Sequence, residues 1–190
     1  MALSFSNKDL RLINMGPIIR KATMDDVSAV ADIYNKIHAQ EAAGLVSIGW
    51  DPKVYPVRET AIMALNEDSL FVMVLDDVIV ASAIINHVQP TAYSTVGWSF
   101  PASDEKVGVL HTLVVDPDFG KRGLGRIFVS FFETYCRERG CEVVRLDTQV
   151  KNFRPFNMYP KLGYRLAGIS DTEFQNLSDA VELAMFEKKL

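Results

Sequence analysis

The chain has 190 residues, 48% of them hydrophobic, and a formal net charge of −4; that length and apolar content suit one domain with a substantial core. An acidic chain does not adhere broadly to nucleic acid or to an anionic membrane, so any basic site must be local. The opening MALSFSNKDLRLINMGP has no apolar stretch of signal-peptide length, and apolar residues nowhere run for the ~18 needed to cross a bilayer, so a cytoplasmic protein is expected.

Residues 1–17 read as an N-terminal extension and 18–190 as the domain. A short strand is expected at Ile18 to Arg20, then Thr23 as a helix cap and Val27, Val30, Tyr34 and Ile37 at helical spacing. After a looser stretch holding Gly44, Gly49, Trp50 and Pro52, Pro56 announces a second helix with Val57, Ala61, Ala64 and Leu65 on its buried face. The run from Leu70 to Asn86 reads as two central antiparallel strands joined by a tight turn at Asp76 and Asp77. His87 to Lys106 is longer than an ordinary connection and is expected to be a lid or a binding loop.

Val107 to Val115 is a strand; Leu124, Ile127, Phe128, Phe131, Phe132 and Tyr135 then form the strongest helical stripe, ended by Gly140. Further strands are expected at Val143 to Thr148, Tyr164 to Ile169 and Val181 to Glu187, with a short helix around Pro155. The two cysteines, Cys136 and Cys141, make a poor frame for a staple and no metal site, so reduced, structural thiols are expected.

The segment VVDPDFGKRGLGR, Val114 to Arg126, ends a strand, turns at Pro117 and passes through three glycines into a helix. Gly120, Gly123 and Gly125 let the backbone approach a ligand closely. Unpaired amides at the helix start, its dipole, and Lys121, Arg122 and Arg126 together form an anion site. A Walker loop would follow its last glycine with Lys and then Ser or Thr, whereas Arg126 and Ile127 follow Gly125. A dinucleotide fold also fits badly, because the preceding strands come as a hairpin.

On three stretches the chain resembles the GCN5-related N-acetyltransferase (GNAT) family: IIRKATMDDVSAVADIYN, VVDPDFGKRGLGR, and NFRPFNMYPKLGYRL from Asn152 to Leu166. The resemblance implies an α/β (α+β) fold, a mixed, mainly antiparallel sheet of six to seven strands flanked by about four helices. It implies acetyl-CoA as acetyl donor, with no metal, held by Leu113, Val114, Val115, Gly120, Lys121, Arg122, Gly123, Leu124, Gly125, Arg126, Asn152, Pro155 and Tyr159. Two departures stand out: the family usually has Gln or Arg where this chain has Gly120, and Pro160 directly follows Tyr159, where it should end or kink the short helix.

Attack on a thioester needs a neutral amine, so a proton must be removed from the acceptor. His111 is the candidate base, expected by the two-residue period to share a face with Val109, Leu113 and Val115; the other reading is a hydrogen-bonded histidine in a half-buried strand. Asp116 and Asp118 are expected to shape the loop instead. By resemblance Tyr159 donates a proton to the departing coenzyme thiolate, against a reading as amphipathic core. Asn152 reads either as a coenzyme contact or as a helix cap, and the two roles are compatible. Trp50 and Tyr55 are candidates for the acceptor wall or for two buried anchors, with Tyr93 and Trp98 raising the same choice. The expected activity is N-acetyl transfer to an amine of a small molecule or peptide; the opposing reading is a non-catalytic coenzyme A sensor or regulatory module. Exposed aromatics and strand edges permit a homodimer, and neither nucleic acid nor membrane is an expected partner.

Overall fold

A computed structural model of the chain describes residues 16–172 and 181–190. The extension expected over residues 1–17 therefore lies almost wholly outside the described residues. Seven strands form one mixed sheet: β1 Ile18–Lys21, β2 Leu70–Leu75, β3 Val78–Asn86, β4 Val107–Val115, β5 Val143–Gln149, β6 Arg165–Thr172 and β7 Val181–Lys189, in the order β1-β2-β3-β4-β5-β7-β6. Only the β4–β5 pair is parallel. Four helices accompany it: α1 Val27–Ala42, α2 Arg58–Asn66, α3 Leu124–Glu138 and α4 Phe153–Met158. None of the described helices is long and apolar enough to cross a membrane.

Local chemistry accounts for the element boundaries. Asp76 and Asp77 take left-handed φ values of 50° and 62°, the geometry that matches a two-residue turn to the twist of β2 and β3. Ahead of α1, the Asp26 carboxylate accepts the Thr23 amide at 2.7 Å and hydroxyl at 3.0 Å, and takes both Arg20 guanidinium nitrogens at 2.6 and 2.9 Å. Thr23 thus opens the helix through Asp26. The Arg20 hydrogen bonds lead in holding the buried Asp26 carboxyl down to about 2. Pro56 and Val57 stand ahead of α2, whose buried residues are Ala61 and Ala64.

Two layers cover the sheet. On one face α3 buries Leu124, Phe128, Val129, Phe132 and Cys136 against Phe71, Met73, Leu110, Val144, Leu146 and Phe186. Ile127, read as part of that stripe, is exposed, so the buried line turns through Val129 and Cys136. Cys136 and Cys141 are both free and buried. The opposite face carries α1 and α2 over β2 and β3, and the 87–106 connection over β4, β5 and β7.

That connection is neither open nor loose. Tyr93 and Ala92 are buried with Val107, Val109, Val143, Leu183 and Met185. Fully buried Glu187 accepts the amides of Ser99 at 2.7 Å and Phe100 at 3.2 Å and faces Arg165 at 3.4 Å. Arg145 donates to Gln89 and to the Phe100 carbonyl at 3.1 Å, with its guanidinium 4.1 Å from the Trp98 ring centre. The buried charges of Arg145 on β5 and Glu187 on β7 are thus tied to the connection's backbone and side chains, although Arg145 Nε has no partner among the described residues, and removing either would strand polar groups in the core.

Candidate functional site: a cavity through the split sheet

The parallel ladder between β4 and β5 runs from Val107↔Val143 to Leu110↔Leu146 and stops. Beyond it a cavity of about 750 Å³ opens, walled by residues 110–115 of β4 and 147–149 of β5. On its other side β4 remains paired to β3, but the register slips between Ser82 and Ile84. The extra β4 residue is Thr112, buried and at φ 50°, which makes it a β-bulge. The bulge overturns the expected face-sharing: Val109 packs on the α1 side of the sheet, whereas Leu113 and Val115 pack with the α3 layer. A one-residue insertion reverses every side chain after it, so His111 does not share their face.

The glycine loop follows β4 directly. The Asp116 carboxylate accepts the Asp118 amide at 2.9 Å, closing the turn over Pro117–Phe119. It also takes Lys36 of α1 at 2.8 and 3.0 Å, and Lys36 reaches Asp118 at 2.6 Å. Lys121 and Gly123 adopt positive φ values of 64° and 76°, turning the chain into α3, whose first amides lack intrahelical acceptors. A Cβ on Gly120 would lie 3.1 Å from the Pro117 carbonyl, a close contact at a residue whose own φ of −58° is open to any amino acid. Arg122 lies over the Phe119 ring at 5.2 Å, leaving its charge at the cavity mouth.

On the α3 side α4 completes the wall. Pro160 ends α4 at Met158 and starts a 3-10 turn, as expected. Tyr159 is buried, its ring 5.5 Å from Phe186 and 5.7 Å from Tyr164, and burial pushes its hydroxyl pKa up, with the Asp147 charge adding to the effect. Asn152 stands at the α4 N-cap position, but its side chain makes no capping hydrogen bond, while its carbonyl accepts the Phe156 amide at 3.2 Å.

The opposite half is built differently. The Tyr93 hydroxyl donates to Asp147 Oδ2 at 2.9 Å, and burial raises the Asp147 carboxyl above its ordinary range while that bond draws it back. Tyr55 hydrogen-bonds Thr112 at the bulge and packs edge-on against Trp50 at 5.7 Å. His111 Nε2 lies 3.0 Å from Asn86 Oδ1, an oxygen that also accepts the Val88 amide, so the ring nitrogen is the donor. Burial pulls the His111 pKa down to about 4.

Trp50, Tyr55, His111, Leu113 to Val115, Gly120 to Arg126, Asn152, Pro155 and Tyr159 all line this cavity, whereas Tyr93 and Trp98, the other aromatic candidates, pack behind it in the 87–106 connection. The model of the family described as the acetyltransferase (GNAT) family matches residues 30–164. This chain belongs to the GNAT acetyltransferase family. It is 25% identical over 154 residues to an N-acetyltransferase of Methanocaldococcus jannaschii, covering 77% of this chain and 59% of that protein. It is 30% identical over 79 residues to the ribosomal protein bS18 alanine N-acetyltransferase of Salmonella typhimurium, covering 40% of this chain and 53% of that one. The chain thus spans little more than half the length of these curated relatives. A solved acetyltransferase of Salmonella typhimurium with its cofactor acetyl-CoA superposes with a TM-score of 0.68 at 16% identity, covering 92% of this chain and 94% of that one. This likeness, at that identity, is one of fold: the seven-stranded mixed sheet with four helices is the GNAT fold.

Against this GNAT frame, three features were not read from the sequence. Asp147 is the carboxylate of the α1-side half, and the strand VVRLDTQ, which also carries Arg145, Thr148 and Gln149, gives it no distinctive sequence signal. Lys36 braces the glycine loop from 80 residues away. The Thr112 bulge has no marker in VGVLHTLVV, which contains neither a proline nor a glycine at that point. Among the described residues no group of three or more His, Cys, Asp or Glu is placed to hold a metal ion.

Proposed function

We propose that the chain transfers an acetyl group from acetyl-CoA directly to a primary amine of a small molecule or peptide, within the domain 18–190. One observation carries the reading: a single cavity crosses the split sheet, with the basic glycine loop on one side, a half-buried carboxylate among aromatic rings on the other, and Tyr159 in its wall. The free edge of β4 at Leu113, Val114 and Val115 can pair with an extended chain as a missing strand would, which suits the pantetheine arm. Amides at Gly123, Leu124 and Gly125, with Lys121, Arg122 and Arg126, suit the pyrophosphate, at roughly 1.5–3 kcal/mol for each charge-assisted bond. Gly120 lies in the turn, and Asn152 and Pro155 supply the α4 wall. Acetyl-CoA brings the activated acyl group; the protein supplies orientation and proton transfer.

Tyr159 gives its proton to the departing thiolate. Burial favours its neutral hydroxyl, so the proton is in place at neutral pH. For the amine proton, burial moves the two bases in opposite directions: it weakens His111 and strengthens Asp147. Asp147 is therefore the proton acceptor in this reading, while His111 orients the wall through Asn86 and stays uncharged at pH 7. Trp50 and Tyr55 pack the acceptor.

The test has two parts. Acetyl-CoA at ~100 times its dissociation constant should add about 2.7 kcal/mol of stability, visible as a rise in Tm, and a panel of amines should release free thiol. Absence of stabilisation at millimolar coenzyme removes the reading. Stabilisation without thiol release across amines and peptides instead assigns the domain as a coenzyme A sensor.

A further inference from the structure

We infer that the acceptor is a compact monocationic amine on an apolar body, with no carboxylate beside the amine. The inference rests on the acetyl-transfer reading and adds to it the class of substrate.

It follows from how charge is divided across the cavity. Among the described residues lining it, every lysine and arginine, namely Lys121, Arg122, Arg126 and Arg154, belongs to the glycine loop, the first turn of α3 or α4. Among the described residues the two lining carboxylates are Asp118, which is paired with Lys36, and Asp147, which accepts the uncharged Tyr93 hydroxyl. By strand alternation from Val144 and Leu146, which pack with α3, Asp147 points to the other face, toward α1. The rest of that half is mainly apolar and aromatic, with Ile37, Val46, Ile48, Trp50 and Tyr55, and carries Gln40 and His111 among its polar groups.

An ammonium entering this half finds one carboxylate and aromatic faces, both of which attract a cation. A free amino acid would bring its own carboxylate, bonded to the carbon that bears the amine, close to Asp147 and away from the four basic residues. A like-charge contact in a poorly hydrated site is strongly disfavoured. A polyamine or aminoglycoside would bring further cations into an apolar wall. The shared chemistry left is a single amine on an apolar carrier, whether a small arylalkyl- or alkylamine or a peptide N-terminus whose own carboxyl is tied up as an amide.

Matched acceptors test this on the wild-type protein by thiol release and by calorimetric binding to the coenzyme A complex. The probes are phenylethylamine, phenylalanine, spermidine and the tripeptide amide Phe-Ala-Ala-NH2. The expected result is at least a ~30-fold preference in kcat/KM and in affinity for phenylethylamine or the tripeptide amide over phenylalanine. Which of the two leads distinguishes a small amine from a peptide. Asp147→Asn should reduce the preference to a few-fold by weakening the amines, while its Tm still rises with acetyl-CoA. Phenylalanine or spermidine matching the amines, an undiminished preference in Asp147→Asn, or no binding of any probe overturns the inference. Failure of the acetyl-transfer reading registers separately, as no rise in Tm with acetyl-CoA.

Discussion

Tyr93→Phe removes one oxygen and, with it, the hydrogen bond at 2.9 Å that favours the charged form of Asp147. A hydrogen bond to a charged acceptor contributes about 1.5–3 kcal/mol; if it acts only on the carboxylate, its loss raises the Asp147 pKa by ~1–2 units. The working forms are ionised Asp147 and a protonated free amine. In wild type, kcat/KM should therefore be flat from the Asp147 pKa up to the pKa of the amine, with an acid limb of slope one below. The sign for the variant is fixed: a raised pKa keeps the carboxyl protonated to higher pH, so the acid limb moves up by ~1–2 units and the two profiles converge above it. Thiol release from pH 4.5 to 9 reads this directly. A wild-type profile that climbs tenfold per pH unit through neutrality would mean that the enzyme waits for amine deprotonated in solution, and an unmoved limb in Tyr93→Phe would mean that Asp147 takes no proton.

Tyr159→Phe should lower kcat by about 10²-fold, within the range for a lost general acid, with the coenzyme dissociation constant changed less than threefold; equal kcat would return Tyr159 to core packing. Lys36 itself lies outside the cavity lining, and Lys36→Met cuts its brace from α1 to Asp116 and to the lining residue Asp118, so KM for acetyl-CoA should rise several-fold at nearly constant kcat. Asp26 contributes stability that is full above its unfolded pKa near 4 and is lost as pH falls through about 2. Asp26→Asn should therefore cost ~2 kcal/mol in urea unfolding at pH 7, with the gap to wild type closing toward pH 2; a gap independent of pH would place the cost in packing rather than in the carboxylate.

What could be read in advance was what neighbours in sequence determine. The aspartate pair 76–77 forces its own turn, the glycine loop carries its chemistry in consecutive residues, and Pro160 ends α4 because it cannot continue a helix. What could not be read depends on partners far along the chain. Tyr93 and Asp147 are 54 residues apart, and Lys36 and Asp116 are 80 apart, so neither pair exists until the sheet has assembled. The 87–106 connection reads as a lid or a binding loop because its composition is that of a loop; it is held by Glu187 and Arg145, whose burial is invisible until β5 and β7 pair.

The Thr112 bulge joins these two kinds of information. Strand periodicity put His111, Leu113 and Val115 on one face, and strict alternation would have given the coenzyme side the histidine along with the apolar residues. One inserted residue at φ 50° sends Leu113 and Val115 toward α3 and leaves His111 on the acceptor side, beside the Tyr55 bond that pins the bulge. The same strand thereby serves both halves of the cavity: its free backbone edge, Leu113 and Val115 face the half proposed for the coenzyme, while His111, before the bulge, faces the half proposed for the acceptor. A Thr112→Val change tests whether the Tyr55 bond holds that division. It preserves the side-chain volume and β-branching but removes the hydroxyl, leaving the half-buried Tyr55 phenol without this partner at a cost of about 0.5–1.5 kcal/mol. Acceptor KM should rise while acetyl-CoA affinity stays within threefold, because the coenzyme half depends on the strand edge beyond the bulge. Equal losses of both would show that the bulge holds the two halves as one unit.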